Sequence, residues 1–183
     1  MRKVIAAFNM TLDGVFDHSA GIPDEELHNH YTELLNEADA ILYGRTTYQL
    51  MEYWRNLLEN PSGIKSMDDF AVAIDKLSKI VFSRTINEVE WASATIAKRE
   101  LEDEVLELKQ QSGNNVLIGS RSLIIQLLSL GLIDEFQLCV YPVVAGKGFN
   151  LFENFNNRIH FKLIKSKTFN SGAIILYYQP RVK

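Results

Sequence analysis

Three short stretches place guanidinium and hydroxyl groups directly after apolar runs. In AILYGRTTY, the run Ala40 to Tyr43 stops at Gly44 and delivers Arg45, Thr46 and Thr47. The run Lys79 to Phe82 delivers Ser83 and Arg84, and Val116 to Ile118 delivers Gly119, Ser120, Arg121, Ser122 and Leu123. Each run reads as a buried strand, and the first and third lead straight into helical patterns. The first amides of a helix lack intrahelical partners and carry the positive end of its dipole, so such junctions are ready anion sites. The plainer reading of Arg45 is a surface arginine beside two threonines that compete for the N-cap. In an open parallel sheet all three strand ends fall along one edge, where ligands of such folds bind. Two helix starts suit a pyrophosphate, and Arg84 suits a further phosphate through charge-assisted hydrogen bonds. A dinucleotide with an extra ribose phosphate, NADPH, matches this layout. The G-x-G-x-x-G fingerprint after the first strand is absent, which excludes the common Rossmann arrangement.

The elements that must position these groups follow from hydrophobic periodicity. Val4 to Phe8 is a compact strand ending in Asn9, followed by MTLDGVF with a turn at Asp13-Gly14. Gly21-Ile22-Pro23-Asp24-Glu25-Glu26 opens a helix, with proline near its first position and Leu27, Tyr31, Leu34, Leu35 and Ala38 on one face. The helix after Thr47 carries Tyr48, Met51 and Trp54. Ser66-Met67-Asp68-Asp69 resembles a capping box opening a helix through Leu77, and Trp91 to Ile96 reads as a weak strand. Leu101, Val105 and Leu108 stripe a helix closed by Gly113. A second helix, closed by Gly131, turns Leu123, Ile124, Leu127 and Leu128 to one side. From Asp134 the texture is β-rich: Phe136, Leu138 and Val140 alternate with polar residues in a half-buried strand, and Gly146-Lys147-Gly148 forms a loop. Two further strands, His160 to Thr168 and Ala173 to Gln179, are joined at Asn170-Ser171-Gly172. The pattern predicts one α/β domain over 1–183, its sheet mostly parallel with antiparallel C-terminal strands.

Composition narrows the function classes. A formal net charge of -4 over 183 residues argues against non-specific nucleic-acid binding. The single cysteine, Cys139, excludes an internal disulfide framework and a multi-cysteine metal site. His28 and His30, two apart on a helix, point to different faces and are not a metal pair. The apolar run at the start ends at Asn9, too short for a signal sequence, and no stretch approaches the roughly 20 apolar residues of a membrane span. A cytoplasmic protein acting on a small molecule is expected, with no metal.

The order TLDG, LYGRTTY, VFSRT, VLIGS and GLIDEFQLCVYPVVAGKGFNLF resembles the C-terminal reductase domain of the bifunctional riboflavin-biosynthesis deaminase-reductase, a relative of dihydrofolate reductase. The resemblance runs along nearly the whole chain and is most specific at GLIDE and the following PVV-x-G-x-G-x-x-LF. It implies a dihydrofolate-reductase-like three-layer α/β/α sandwich, NADPH as cofactor, and a homodimer. Carried over residue by residue, Arg45, Thr46 and Thr47 match the turn at the cofactor phosphates. Ser83 and Arg84 match the segment at the adenosine ribose and its phosphate, and Gly119 to Leu123 match the pyrophosphate loop. There the family's Gly-Gly reads Gly119-Ser120, and its unusual cis bond, if kept, would precede a non-proline residue.

Asp13 matches the acid of the family's S-L-D-G segment and so is a candidate to face the substrate and relay a proton, although Asp-Gly is also ordinary turn chemistry. Phe16, His18 and Tyr141 could line the same pocket. Asp24 is the acid a true dihydrofolate reductase would use, if it faced that pocket. The expected activity is hydride transfer from NADPH to a C=O or C=N carbon of a small heterocyclic or ribose-bearing substrate, as in 5-amino-6-(5-phosphoribosylamino)uracil reductase. The rivals are a true dihydrofolate reductase and a non-catalytic nucleotide-binding module. No deaminase half is present, because the chain lacks the histidine and cysteine set of its zinc site.

Overall fold

The computed structural model describes residues 1–181 except 17, 18, 20 and 22. The apolar runs become strands of one eight-stranded sheet. In chain order the elements are β1 (Val4–Thr11), β2 (Val15–Phe16), α1 (Glu25–Asn36), β3 (Ala38–Gly44), α2 (Arg45–Glu59), α3 (Lys65–Lys76), β4 (Ser78–Phe82) and β5 (Ala94–Ile96). They continue with α4 (Leu101–Gln110), β6 (Asn115–Ile118), α5 (Arg121–Ser129), β7 (Glu135–Tyr141), β8 (Phe149–Asn150), β9 (Phe161–Thr168) and β10 (Ile174–Pro180). The sheet order is β5-β4-β3-β6-β1-β7-β10-β9. All pairings from β5 to β7 are parallel, and β10 runs antiparallel to both β7 and β9.

Because side chains alternate across a strand, one face of β1, β3 and β6 turns Val4, Ala6, Leu42, Val116 and Ile118 toward α4 and α5. The other face turns Ile5, Ile41, Tyr43 and Leu117 toward α1, α2 and α3. Two helical layers on one sheet make the dihydrofolate-reductase-like α/β/α sandwich. No helix among the described residues is long and apolar enough to cross a membrane.

Several local expectations are corrected. Helix α3 starts at Lys65 with Ile64 at the N-cap rather than with a capping box at Ser66. Asp68 turns instead to Ser62 and Gly63, accepting from their amides at 2.8 and 3.2 Å. The weak strand shortens to Ala94–Ile96, because Trp91 leaves the ladder to enter the core, where its Nε1 donates to Asp75 at 2.6 Å. Strand β7 is buried on both faces, since Gln137 and Cys139 are covered as fully as their apolar neighbours. Pro23 precedes the N-cap Asp24 and is not the first helical residue. The small β2–β8 pairing, Val15 with Asn150 and Phe16 with Phe149, has no signal strong enough to be read from sequence.

Candidate functional site

The C-terminal ends of β3 and β6 lie side by side, and each enters a helix with no side-chain cap. What closes this gap is Ser120: its hydroxyl, almost fully buried, accepts from the Gly44 amide at 2.8 Å. The starts of α2 and α5 are thereby stitched together with their first amides left for an outside acceptor. Gly44 lies close to both serines of the second junction: a Cβ there would meet the Ser122 hydroxyl at 3.4 Å and the Ser120 hydroxyl at 3.7 Å, ordinary contact distances. Thr46 and Ser122 are exposed and Thr47 half-buried, all at this junction. No cis peptide occurs among the described residues, so the Gly119–Ser120 bond is trans.

One strand further out, Arg45 donates from Nη1 to the Thr85 hydroxyl at 3.0 Å, and Ser83 Oγ accepts from the amides of Thr85 and Ile86. Arg45 and Arg84 are exposed, and neither forms an ion pair among the described residues. Two unneutralised cations therefore stand beside the junction. The donor set fits a dinucleotide phosphate chain: paired helix starts with unused amides, hydroxyls at the rim, then guanidinium groups.

From the junction a cleft of about 810 Å³ runs between α1 and α2. Thr46, Thr47, Gly119 and Ser122 line its junction end. Its other end is aromatic: Trp54 from α2 lies 4.4 Å from Phe70 of α3 and 5.3 Å from Tyr53, and His28 of α1 meets Trp54 at 5.9 Å. Phe16, stacked 4.3 Å from Phe8, and Tyr141 border it, as expected. Gly21 lies hard against Tyr141, where a Cβ would meet the ring at 2.5 Å. Asn9, at the end of β1, accepts from the Tyr31 hydroxyl at 2.5 Å. Burial holds the Tyr31 and Tyr141 phenols above the ordinary tyrosine range, and it lowers His28 despite the nearby Asp24.

Not every sequence candidate reaches this cleft. Asp13 does not line it: its carboxylate accepts from the Thr11 hydroxyl and from the amides of Ala145 and Gly146 at 3.1 and 2.8 Å. Those bonds, Thr11 first, lower its pKa to about 2, so at neutral pH it staples two loops and has no proton to give. Asp24 is the N-cap of α1, accepting from Leu27 at 2.8 Å and from the Ser171 amide at 2.9 Å. No acid of α1 lines the cleft among the described residues. Arg121 borders it, but its guanidinium donates at 3.0 Å each to the carbonyls of Asn150, Leu151 and Glu153. Leu123 is core, and His18 lies outside the described residues. Sequence reasoning missed Asn9, His28, Tyr31, Trp54 and Phe70 as a group. The i, i+3 spacing of His28 and Tyr31 was the available signal.

An open, mostly parallel sheet with a cleft at its carboxyl edge, beside two helix starts without side-chain caps, defines the class as a dihydrofolate-reductase-like α/β fold. The RibD C-terminal domain model matches residues 2–175, and the chain belongs to that family. YyaP of Bacillus subtilis (strain 168), itself uncharacterized, is 36% identical over 97% of this chain and 94% of its own. A Shewanella sp. PV-4 protein assigned to riboflavin biosynthesis superposes with a TM-score of 0.73 at 21% identity, over the whole of both chains. The deaminase/5-amino-6-(5-phosphoribosylamino)uracil reductase of Thermotoga maritima superposes with a TM-score of 0.67 at 20% identity. That match covers 98% of this chain and 57% of the bifunctional one.

Proposed function

We propose that the protein is an NADPH-dependent reductase of a small heterocyclic substrate, akin to the reductase half of the riboflavin-pathway enzymes. One observation carries this reading: a single cleft joins two bare, stitched helix N-termini to an aromatic pocket. The amides at the start of α2 and α5, with Thr46, Thr47 and Ser122, would hold the pyrophosphate. Arg45, Ser83 and Arg84 would hold the adenosine ribose and its phosphate. The bound cofactor supplies a hydride to a C=O or C=N carbon. The chain supplies the aromatic walls that orient the acceptor ring, the exclusion of water by Trp54 and Phe70, and a fixed hydrogen-bonding pair, Asn9 and Tyr31. With Asp13 committed to loops and Asp24 to the cap, neither lies among the described residues lining the cleft, which favours this reading over a true dihydrofolate reductase. The same reading has the enzyme work as a cytoplasmic homodimer.

Thermal shift separates the outcomes. NADPH at a hundred times its dissociation constant should add about 2.7 kcal/mol of stability. NADH should add much less, and Arg45→Ala with Arg84→Ala should erase the difference. No shift with either nucleotide would sink the cofactor assignment. Equal shifts would remove Arg45 and Arg84 from the extra phosphate.

A further inference from the structure

The aromatic end of the cleft is built from three helices, so its composition reports what it must hold. Trp54, Phe70 and His28 form a corner of rings with interplanar angles of 53° and 77° at Trp54. Such angled faces bind a flat ring between face and edge contacts. Tyr53 is 51% exposed and Leu50 is 42% exposed, both on the same helix at the mouth. They leave apolar surface uncovered where a ring-bearing ligand would cover it.

The charges around this corner are as informative as the rings. Among the described residues that line the cleft there is no carboxylate and no lysine. The one guanidinium, that of Arg121, is committed to three main-chain carbonyls. Burial lowers His28, which keeps the imidazole neutral near pH 7. The bare helix starts lie at the opposite end and are assigned to the cofactor. A substrate phosphate placed among the rings would therefore lose its hydration without gaining a counter-charge from the described residues, which is strongly unfavourable. One of the polar groups lining the cleft is the Asn9 amide. Asn9 Oδ1 is taken by the Tyr31 hydroxyl, and Asn9 Nδ2 has no partner among the described residues, so it can donate to a carbonyl or ring nitrogen.

We infer that this site selects a flat, uncharged heterocycle that presents a hydrogen-bond acceptor to Asn9 and carries no phosphate of its own. The inference rests on the reductase reading above and departs from the phosphoribosyl substrate named for the Thermotoga maritima enzyme.

The test uses the full chain, with tryptophan fluorescence quenching as the readout, in the presence and absence of NADPH. The probes are lumazine, a neutral bicyclic ring, and one matched pair: 5-amino-6-(5-phosphoribosylamino)uracil and its dephosphorylated form. Lumazine and the dephosphorylated compound should bind at least tenfold more tightly than the phosphorylated one. Trp54→Leu, which keeps apolar bulk without a ring face, should weaken lumazine at least tenfold when followed by thermal shift. Asn9→Ala should do the same, and persistence of the NADPH shift in both variants shows that the fold is intact. Tighter or equal binding of the phosphorylated compound overturns the inference, as does unchanged lumazine affinity in both variants. Failure of NADPH to shift the wild-type protein overturns the cofactor reading instead, so the two failures are told apart.

Discussion

The two ends of the same sheet handle charge in opposite ways. At the amino ends of the strands a second cavity of about 610 Å³ is lined by Arg2, Lys3, His30, Glu33, Glu37, Glu135, Lys165 and Lys167 among others. Much of that charge is tied down within the chain. Arg2 pairs with Asp39 at 3.2 Å, Lys3 with Glu135 at 3.9 Å, and Asp134 binds both Lys109 and the Val4 amide. Lys79, fully buried at the start of β4, donates to the carbonyls of Ile74 and Leu77 at the end of α3 and to Ser93, with its ammonium 3.9 Å from the centre of the Trp91 ring. At the carboxyl ends the pattern reverses. Among the described residues, no side chain caps the two helix starts, Arg45 and Arg84 form no ion pair, and the ring pocket is lined by no carboxylate or lysine. One end ties its charges within the chain, and the other is the end proposed to hold a ligand.

Substitutions at the two ends should accordingly differ in kind. The largest effect is expected from Lys79→Met, which strips several buried acceptors at once and should cost about 3 kcal/mol of stability in denaturant unfolding. NADPH affinity, normalised to folded protein, should not change; a parallel loss of affinity would break the division of labour. Ser120→Ala removes the partner of the Gly44 amide and should cost about 1 to 2 kcal/mol. Unlike Lys79→Met, it should also weaken NADPH several-fold by calorimetry. Asp24→Ala removes the cap of α1 and should cost about 1 kcal/mol, with no effect on the pH dependence of any turnover. A changed pH-rate profile would return Asp24 to the chemistry.

Two smaller effects concern pH. The Asp13 pKa is lowered in the folded chain from 3.8 to about 2, so its contribution is present above the unfolded value and is lost as pH falls through that window. Asp13→Asn should flatten the acid limb of the stability curve there while leaving neutral-pH catalysis in place. At the opposite end, burial first and then Lys167 lower His30 from 6.5 to about 4. A lowered histidine disfavours the charged form, so stability is intact above the unfolded pKa and falls as pH drops from 6.5 toward 4. His30→Gln should remove that slope.

The fold was readable because its signals are local. Apolar runs gave the central strands, glycines and caps gave most boundaries, and the three polar strand ends do fall along one edge of the sheet. The errors fall where tertiary packing overrides local preference: Trp91 drawn out of a strand, and Asp68 drawn from helix capping to a loop. For the site, sequence could place Thr46, Thr47, Gly119 and Ser122 along one sheet edge, because parallel strands end on the same side, but not that β3 and β6 are neighbours there. It could not say that Arg121 turns to the 150–153 loop or that Ser120 faces inward, since both depend on side-chain direction across distant segments. Nor could it distinguish Tyr31 as a cleft wall from Leu27 as core, because both share the helical periodicity of α1. Asp13 is expected from the TLDG resemblance to face the substrate, and its hydrogen bonds describe a loop staple.

The serine that joins the two helix starts has a kinetic consequence. A glycine amide at the rim of a cleft would ordinarily exchange its proton with solvent quickly. Held by a buried hydroxyl, the Gly44 amide should exchange only when α2 and α5 separate together. Its protection in the unliganded protein would then measure how far the phosphate end is already formed, and a small further slowing on adding NADPH would mark a receptor that needs little rearrangement to close on its ligand.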